Sequence, residues 1–148
     1  MRAVVQRVTE ASVTIDKQMV SQIGTGLCVL LGVDVQDTAA DADYLAAKLL
    51  GLRIFDDAQG VPNCSVAEVG GSILLVSQFT LLGDARKGKR PSYIRAARPE
   101  TAVPLYERCI AALSQAVPVK TGKFGADMQV RLVNDGPFTI LLDSLKGF

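Results

Sequence analysis

The run Ile73-Leu74-Leu75-Val76 is apolar at every position and then stops on the polar side chains of Ser77, Gln78 and Thr80. Loss of the two-residue period marks a strand covered on both faces, so a buried strand over 73–77 is predicted. Polar groups at its mouth must be satisfied internally or offered to a ligand, although a strand that simply runs out into a turn has the same pattern. Leu27-Cys28-Val29-Leu30-Leu31-Gly32-Val33 is nearly as apolar and predicts a second central strand. Two short strands are predicted over 4–8 and 11–15, joined near Thr9 and Glu10, with another at 19–23 after a turn at Asp16-Lys17-Gln18. Near the C-terminus, 128–134 and 138–142 predict a hairpin, because Asp135-Gly136 between two extended runs is a turn signal.

From Thr38 to Leu50 the period changes to 3.6: Ala42, Leu45, Ala46 and Leu49 form an apolar stripe, with Asp37 or Thr38 placed to cap the start. A second helix is predicted over 101–116, with Leu105, Cys109, Ala112 and Ala116 along its apolar side. Starting it at Pro99 would put Pro104 in its interior, whereas a cap at Thr101 leaves Pro104 in the first turn, where no hydrogen bond is lost. Leu52-Arg53-Ile54-Phe55 predicts a short strand and Lys120 to Gly125 a glycine-punctuated loop. Many strands with two separated helices predict an α+β fold: a single compact domain with mixed or antiparallel sheets. A doubly wound sheet would need a helix after nearly every strand.

At 148 residues the chain fits one domain able to bury about two thirds of its unfolded surface. With 49% hydrophobic and 21% charged residues and a formal net charge of +1, total charge carries no message about nucleic acid. No apolar run is long enough for a signal peptide or a membrane span, so a cytoplasmic protein with no membrane partner is expected. Cys28, Cys64 and Cys109 are isolated and odd in number, which argues against a disulfide framework. Histidine is absent, and that removes His-based general bases, Ser-His-Asp and Cys-His arrangements and His-containing zinc sites; no metal or cofactor is expected.

Charge is instead concentrated locally. Arg86, Lys87, Lys89, Arg90, Arg95 and Arg98 supply six cations with no acidic residue among them; Tyr93 lies in the same run, and Gly88 and Pro91 mark it as a loop. Such a loop is suited to holding a phosphate backbone and stacking a base, and a solvated charge run has the same composition. Gly24-Thr25-Gly26 and Gly122-Lys123-Phe124-Gly125 do not fit a phosphate-binding spacing and read as turn glycines. Pro137 lacks the N–H that a hairpin ladder needs, and a cis Gly136–Pro137 bond is one way to seat it.

Ser77-Gln78-Phe79-Thr80-Leu81 and Asn134-Asp135-Gly136-Pro137-Phe138-Thr139, supported by Gln6-Arg7-Val8, Arg90-Pro91-Ser92-Tyr93 and Thr121-Gly122-Lys123-Phe124-Gly125-Ala126-Asp127-Met128, resemble the D-aminoacyl-tRNA deacylase family. The resemblance covers essentially the whole chain. It implies a homodimer that hydrolyses the ester between a D-amino acid, or glycine, and the 3' end of tRNA. The implied pocket is shared between subunits: the Ser77-Gln78 strand end of one faces the cis Gly136–Pro137 bond of the other, whose carbonyls exclude an L side chain. Gln78, Phe79 and Thr80 are then the catalytic candidates. Backbone N–H groups around them would hold the developing oxyanion, and Thr80 has no accompanying base to make it a nucleophile. Ser77, Met128 and Arg7 join Gly136 and Pro137 as substrate-binding candidates. Arg86, Lys87, Lys89, Arg90, Tyr93 and Arg95 are the tRNA-binding candidates. A non-catalytic RNA- or protein-binding domain is the competing reading.

Overall fold

In the computed structural model, which describes residues 1–147, one long strand carries most of the sheet. β1 (Arg2–Ile15) is continuous through Thr9 and Glu10, where two short strands were expected. β2 (Gln18–Ile23) pairs antiparallel with its second half and β3 (Gly26–Gly32) with its first half, from Arg2↔Gly32 to Val8↔Gly26. On the opposite edge, a strand of similar length, residues Gln129–Asp143, follows β1 almost from end to end. The expected hairpin at Asp135-Gly136-Pro137 is therefore not formed. Both flanking segments pair with β1 in one direction, Asn134 opposite Val8 and Thr139 opposite Gln6, and the four residues between them loop out opposite Arg7. The local turn signal was correct about the departure from the ladder and wrong about reversal, because continuous pairing along β1 keeps both halves in line.

After β3 the chain enters α1 (Ala39–Gly51), a two-residue strand β4 (Phe55–Asp56) paired with β5 (Pro62–Cys64), and then β6 (Ser72–Ser77), which lies parallel to β3 from Gly26↔Ser72 to Leu31↔Ser77. The predicted strand at 52–55 is thus shifted toward Asp56. A 3-10 turn (Phe79–Leu82) follows, then α2 (Pro99–Ser114), and β7 (Val119–Thr121), which pairs parallel with β6 where only a loop was expected. The strand Gln129–Asp143 is β8. The resulting order is β2-β1-β3-β6-β7, with β8 on β1. This mixed sheet with two main helices is the α+β arrangement expected.

The unbroken apolar runs of β3 and β6 have a direct cause. Leu27, Val29, Leu31, Ile73 and Leu75 pack toward the helices, while Cys28, Leu74 and Val76 pack into a second cluster with Val8, Ala11 and Val13 on the other face. Covered on both sides, neither strand has a solvent face on which to alternate. α1 buries the expected Ala42, Leu45, Ala46 and Leu49. Thr38 takes the cap position, its N–H donating to Asp41 Oδ2 at 2.8 Å, while Asp37 turns inward to accept the backbone N–H of Asp34 at 2.6 Å. α2 starts at Pro99 and continues through Pro104, against the expectation of a cap at Thr101. The hydrogen bond Pro104 cannot make belongs to the carbonyl of Glu100, an exposed residue that water can serve. The buried side of α2 is Ala102, Tyr106, Cys109 and Leu113, which rotates the core stripe away from Leu105 and Ala116. Gly26 and Gly122 are packing glycines: a Cβ on Gly26 would stand 1.8 Å from the Ser72 carbonyl oxygen, and one on Gly122 would stand 2.3 Å from the Met128 sulfur. Among the described residues no helix is long and apolar enough to cross a membrane.

Candidate functional site

β6 ends at Ser77: the Gln78 N–H donates to the carbonyl of Leu31 at 2.7 Å, the last bond of the β3–β6 ladder, and the backbone then tightens into the Phe79–Leu82 turn. Beneath this corner opens a cleft of about 300 Å3. Ser77, Gln78 and Phe79 form one wall, Ala97, Ala102 and Tyr106 of the α2 region a second, and the segment from Phe124 to Met128 a third. Four of the candidate site residues therefore meet at one place: Ser77, Gln78, Phe79 and Met128 line the cleft, with Thr80 one residue further on.

Gln78 Nε2 donates to Thr80 Oγ1 at 2.5 Å. An amide nitrogen has no lone pair to take a proton, so this contact orients the hydroxyl without activating it as a nucleophile. The N–H groups of Phe79 and Thr80 open a helical turn, where the first donors have no partner within the turn; that of Gln78 is already spent on Leu31. The floor of the cleft is apolar and aromatic. Tyr106 donates its hydroxyl to the Leu75 carbonyl at 2.7 Å, burial pushes that hydroxyl's pKa up, and its ring lies 6.0 Å from that of Phe124. Tyr106, Phe124 and Asp127 were missed as lining residues. Phe124 and Asp127 lie within the quoted motif that ends at Met128, whereas Tyr106 carried only the signature of a core residue.

Gly136, Pro137 and Arg7 belong to a different surface. The Gly136–Pro137 bond is cis, and Asp135, Gly136 and Pro137 are all exposed, outside the cleft lining of their own chain. Arg7 is 8% exposed. It lies under the bulge, with Nε donating to the Asp135 carbonyl at 3.0 Å and Nη1 to the Ile54 carbonyl at 2.7 Å, its guanidinium 5.0 Å from the Phe138 ring centroid. Asn134 closes the base of the bulge: its amide donates to Gln6 Oε1 at 2.9 Å and to Thr139 Oγ1 at 3.1 Å, and its Oδ1 accepts the Phe138 N–H at 2.9 Å. Gln6-Arg7 and Asn134-Asp135-Gly136-Pro137-Phe138-Thr139 are thus two halves of one braced structure. Gly136 sits at φ +133°, a conformation that L side chains rarely adopt.

The basic loop is pinned at its base by paired Asp84 and Ser92, which exchange both backbone hydrogen bonds at 2.8 Å. Two of its cations are engaged with carboxylates. Arg86 chelates Asp84 at 2.5 and 2.8 Å, holding that carboxyl well below the usual carboxylate range, and Arg95 reaches buried Asp34 at 2.5 Å. Lys87, Lys89 and Arg90 stand exposed along the loop. Tyr93 packs edge-on against Phe79, with ring centroids 5.2 Å apart and planes at 71°, which joins the loop to the mouth of the cleft.

The chain is 56% identical over 149 residues to D-aminoacyl-tRNA deacylases of Desulfitobacterium hafniense and Symbiobacterium thermophilum, with 100% of this chain covered in both and 100% and 99% of those proteins. Its fold matches a solved structure of a c-Myc DNA unwinding element binding protein at a TM-score of 0.91, with 44% identity over 97% of this chain and 98% of that one. A probable eukaryotic D-amino acid tRNA deacylase shares the fold alone, at a TM-score of 0.81 and 20% identity over 95% and 97% of the two chains. The D-Tyr-tRNA(Tyr) deacylase family model matches from residue 4 to residue 143, a span that takes in cleft, basic loop and braced bulge alike, and this chain belongs to that family.

Proposed function

We propose that the cleft under Gln78 receives the aminoacylated 3' end of tRNA and is completed by the Gly136–Pro137 bulge of a second copy of the chain. The protein is a D-aminoacyl-tRNA deacylase, which removes D-amino acids from tRNA. The observation that carries the shared site is the separation of its two motifs. One makes a cleft with an open mouth, and the other an exposed, braced projection on β8. Among the described residues β8 pairs with β1 alone, and a strand of 15 residues with one free edge is an invitation to pair with another chain. Exposed Val133 and Leu141 on β8 add apolar area to such a contact.

D- and L-aminoacyl groups share every atom type, so attraction discriminates poorly between them and a rigid obstacle discriminates well. Carbonyls of a glycine-proline bulge, held from beneath by Arg7 and Asn134, have no rotamers through which to yield. Glycyl-tRNA, with no side chain to exclude, passes the same filter. In the reaction, water adds to the ester carbonyl carbon, the N–H groups of Phe79 and Thr80 stabilise the oxyanion, and the bond to the ribose oxygen breaks. One proton of the water goes to that oxygen, which leaves as the terminal diol of free tRNA, and the other goes to solvent as the D-amino acid departs as its carboxylate. Without histidine in the chain, the neighbouring ribose hydroxyl is the group placed to assist the water. Lys87, Lys89, Arg90, Arg86 and Arg95 hold the tRNA backbone, and the setting is the cytoplasm.

A nucleic-acid-binding role without hydrolysis is the alternative, suggested by the basic loop and by the name of the 44% identical protein. Single-turnover hydrolysis of D-tyrosyl-tRNA and L-tyrosyl-tRNA by the purified chain separates the two. Rapid loss of the D ester only is expected; equal rates, or no rate above buffer, would overturn the proposal. Sedimentation that shows a monomer at working concentrations with full D selectivity would refute the shared site alone.

A further inference from the structure

Three exposed apolar side chains lie at and beside the lip of the cleft: Phe79 lines it, Tyr93 packs on Phe79, and Ile94 follows in the chain. Ile94 is 87% exposed, Phe79 58% and Tyr93 40%. Ile94 is not at a loose tip. It lies in a turn closed by the Ala96 N–H on the Tyr93 carbonyl at 2.9 Å, and the next residue's carbonyl accepts the Val35 N–H at 2.9 Å. The Asp34–Arg95 ion pair fixes the same turn from its other side. Tyr93 is fixed as well: it meets Phe79 at one edge and lies over Gly83, where a Cβ would stand 3.0 Å from Tyr93 Cε1. A large aliphatic side chain left in water on a fixed stretch of backbone has no account in packing or in the fold.

Its surroundings narrow the choice of occupant. Lys87, Lys89, Arg90 and Arg98 are exposed on the same loop and its continuation, and Phe79 reaches from this surface into the cleft itself. Lysine is depleted at the centres of protein–protein contacts, whereas cations beside exposed apolar and aromatic groups are the pattern that holds single-stranded nucleic acid. A strand whose last nucleoside enters the cleft beside Phe79 must carry its preceding nucleotide across this lip.

We propose that Phe79, Tyr93 and Ile94 form a platform for the nucleotide preceding the terminal adenosine of the tRNA, with the phosphates along Lys87, Lys89 and Arg90. This rests on the deacylase reading and goes beyond it, assigning Ile94 to recognition of the tRNA end and not of the amino acid. The platform reads no base identity, because apolar contact accepts any base face.

The test uses Ile94→Ala and Ile94→Asp, at a position so exposed that neither change disturbs the core. Each is assayed on D-tyrosyl-tRNA and on D-tyrosyl-adenosine, which lacks the preceding nucleotide. Ile94→Ala is expected to raise KM for the tRNA roughly 3- to 10-fold and Ile94→Asp further, with kcat held, while the rate on D-tyrosyl-adenosine stays within about two-fold. Equal losses on both substrates, or none on either, overturn the platform. Failure of the unsubstituted protein on both substrates sinks the deacylase reading instead. The platform is then judged by fluorescence anisotropy with a short RNA ending in CCA: weaker binding by Ile94→Asp supports it, and unchanged binding refutes it.

Discussion

Replacing Arg7 by Met removes the brace under the bulge while keeping a stem of similar reach. Two charge-assisted hydrogen bonds are lost, to the carbonyls of Asp135 and Ile54, at about 1.5–3 kcal/mol each, together with a contact to the Phe138 ring of about 1 kcal/mol. The contacts to Asp56 and Asp135 carboxylates, both at 3.5 Å and with half-exposed partners, add nothing that solvent does not screen. Against the loss stands the desolvation that a buried guanidinium no longer suffers, which is several kcal/mol. The net expectation is destabilisation of about 2–4 kcal/mol, or roughly 5–15 °C in Tm for a domain of this size. Arg7→Lys keeps the charge but asks one ammonium to serve two carbonyls that the guanidinium reaches from separate nitrogens, so it should fall between. Urea unfolding gives the stability, and single-turnover hydrolysis of D- and L-tyrosyl-tRNA, measured well below Tm, gives the selectivity. A bulge freed from its brace yields to an L side chain, so the L rate should rise relative to D in the order wild type, Lys, Met. A Tm within about 1 °C of wild type would refute the energetic account. A large Tm loss with the D-to-L ratio untouched would show that the bulge is not the wall.

Thr80→Val removes the hydroxyl and keeps the backbone N–H; single-turnover deacylation is expected to slow only a few-fold, and a loss of about a thousand-fold would restore Thr80 as nucleophile. The double change Lys87→Ala, Lys89→Ala should weaken tRNA binding at low salt and flatten the slope of log K against log salt by up to about two, measured by filter binding; an unchanged slope would place the phosphates elsewhere. Burial raises the Cys28 thiol from 9.0 to about 11 and pushes Cys109 up to about 12, so both stay protonated in the folded state. Iodoacetamide at pH 8 should therefore add one group, at half-buried Cys64, by mass spectrometry, and three only after denaturation. The same shifts set a sign for stability: a folded state that favours the thiol is stabilised fully below about pH 9 and loses that contribution as pH rises toward 11 and beyond, which unfolding at stepped alkaline pH would reveal.

What could be read from the sequence divides by the range of the forces that decide it. The first helix was legible down to its buried residues, since Ala42, Leu45, Ala46 and Leu49 keep the 3.6 period against a single core. β3 and β6 were legible as buried for the converse reason, the loss of any period. The corner at Ser77 and Gln78 was also legible, because polar groups follow an apolar run there without a gap. The unity of β1 and β8 was not. Asp135-Gly136-Pro137 has the local chemistry of a reversal, and only the pairing of Asn134 with Val8 and Thr139 with Gln6, partners far along the chain, shows that the strand resumes its direction. Arg7 read only as a substrate-binding candidate, since nothing adjacent in sequence shows that the bulge closes over it. Likewise the six cations looked unopposed, yet Arg86 folds back on Asp84 and Arg95 finds Asp34 at the end of β3.

These long-range contacts explain why the proposed selective element sits where it does. A wall against one enantiomer must be stiff, and stiffness in a loop comes from bonds at its base more than from its own residues. An edge strand supplies that base cheaply in structural terms: β1 runs along both halves of β8, so the four-residue departure is anchored by ladder pairing before it and after it. Arg7, the one β1 residue facing the gap, then fills the space the departure leaves, and Gln6 on its flank fixes Asn134. The same arrangement leaves the bulge exposed and outside the lining of its own chain's cleft. A rigid projection outside its own chain's cleft suits a site shared with a neighbour, so the physical demand for stiffness and the proposed sharing of the site between two copies fit one arrangement.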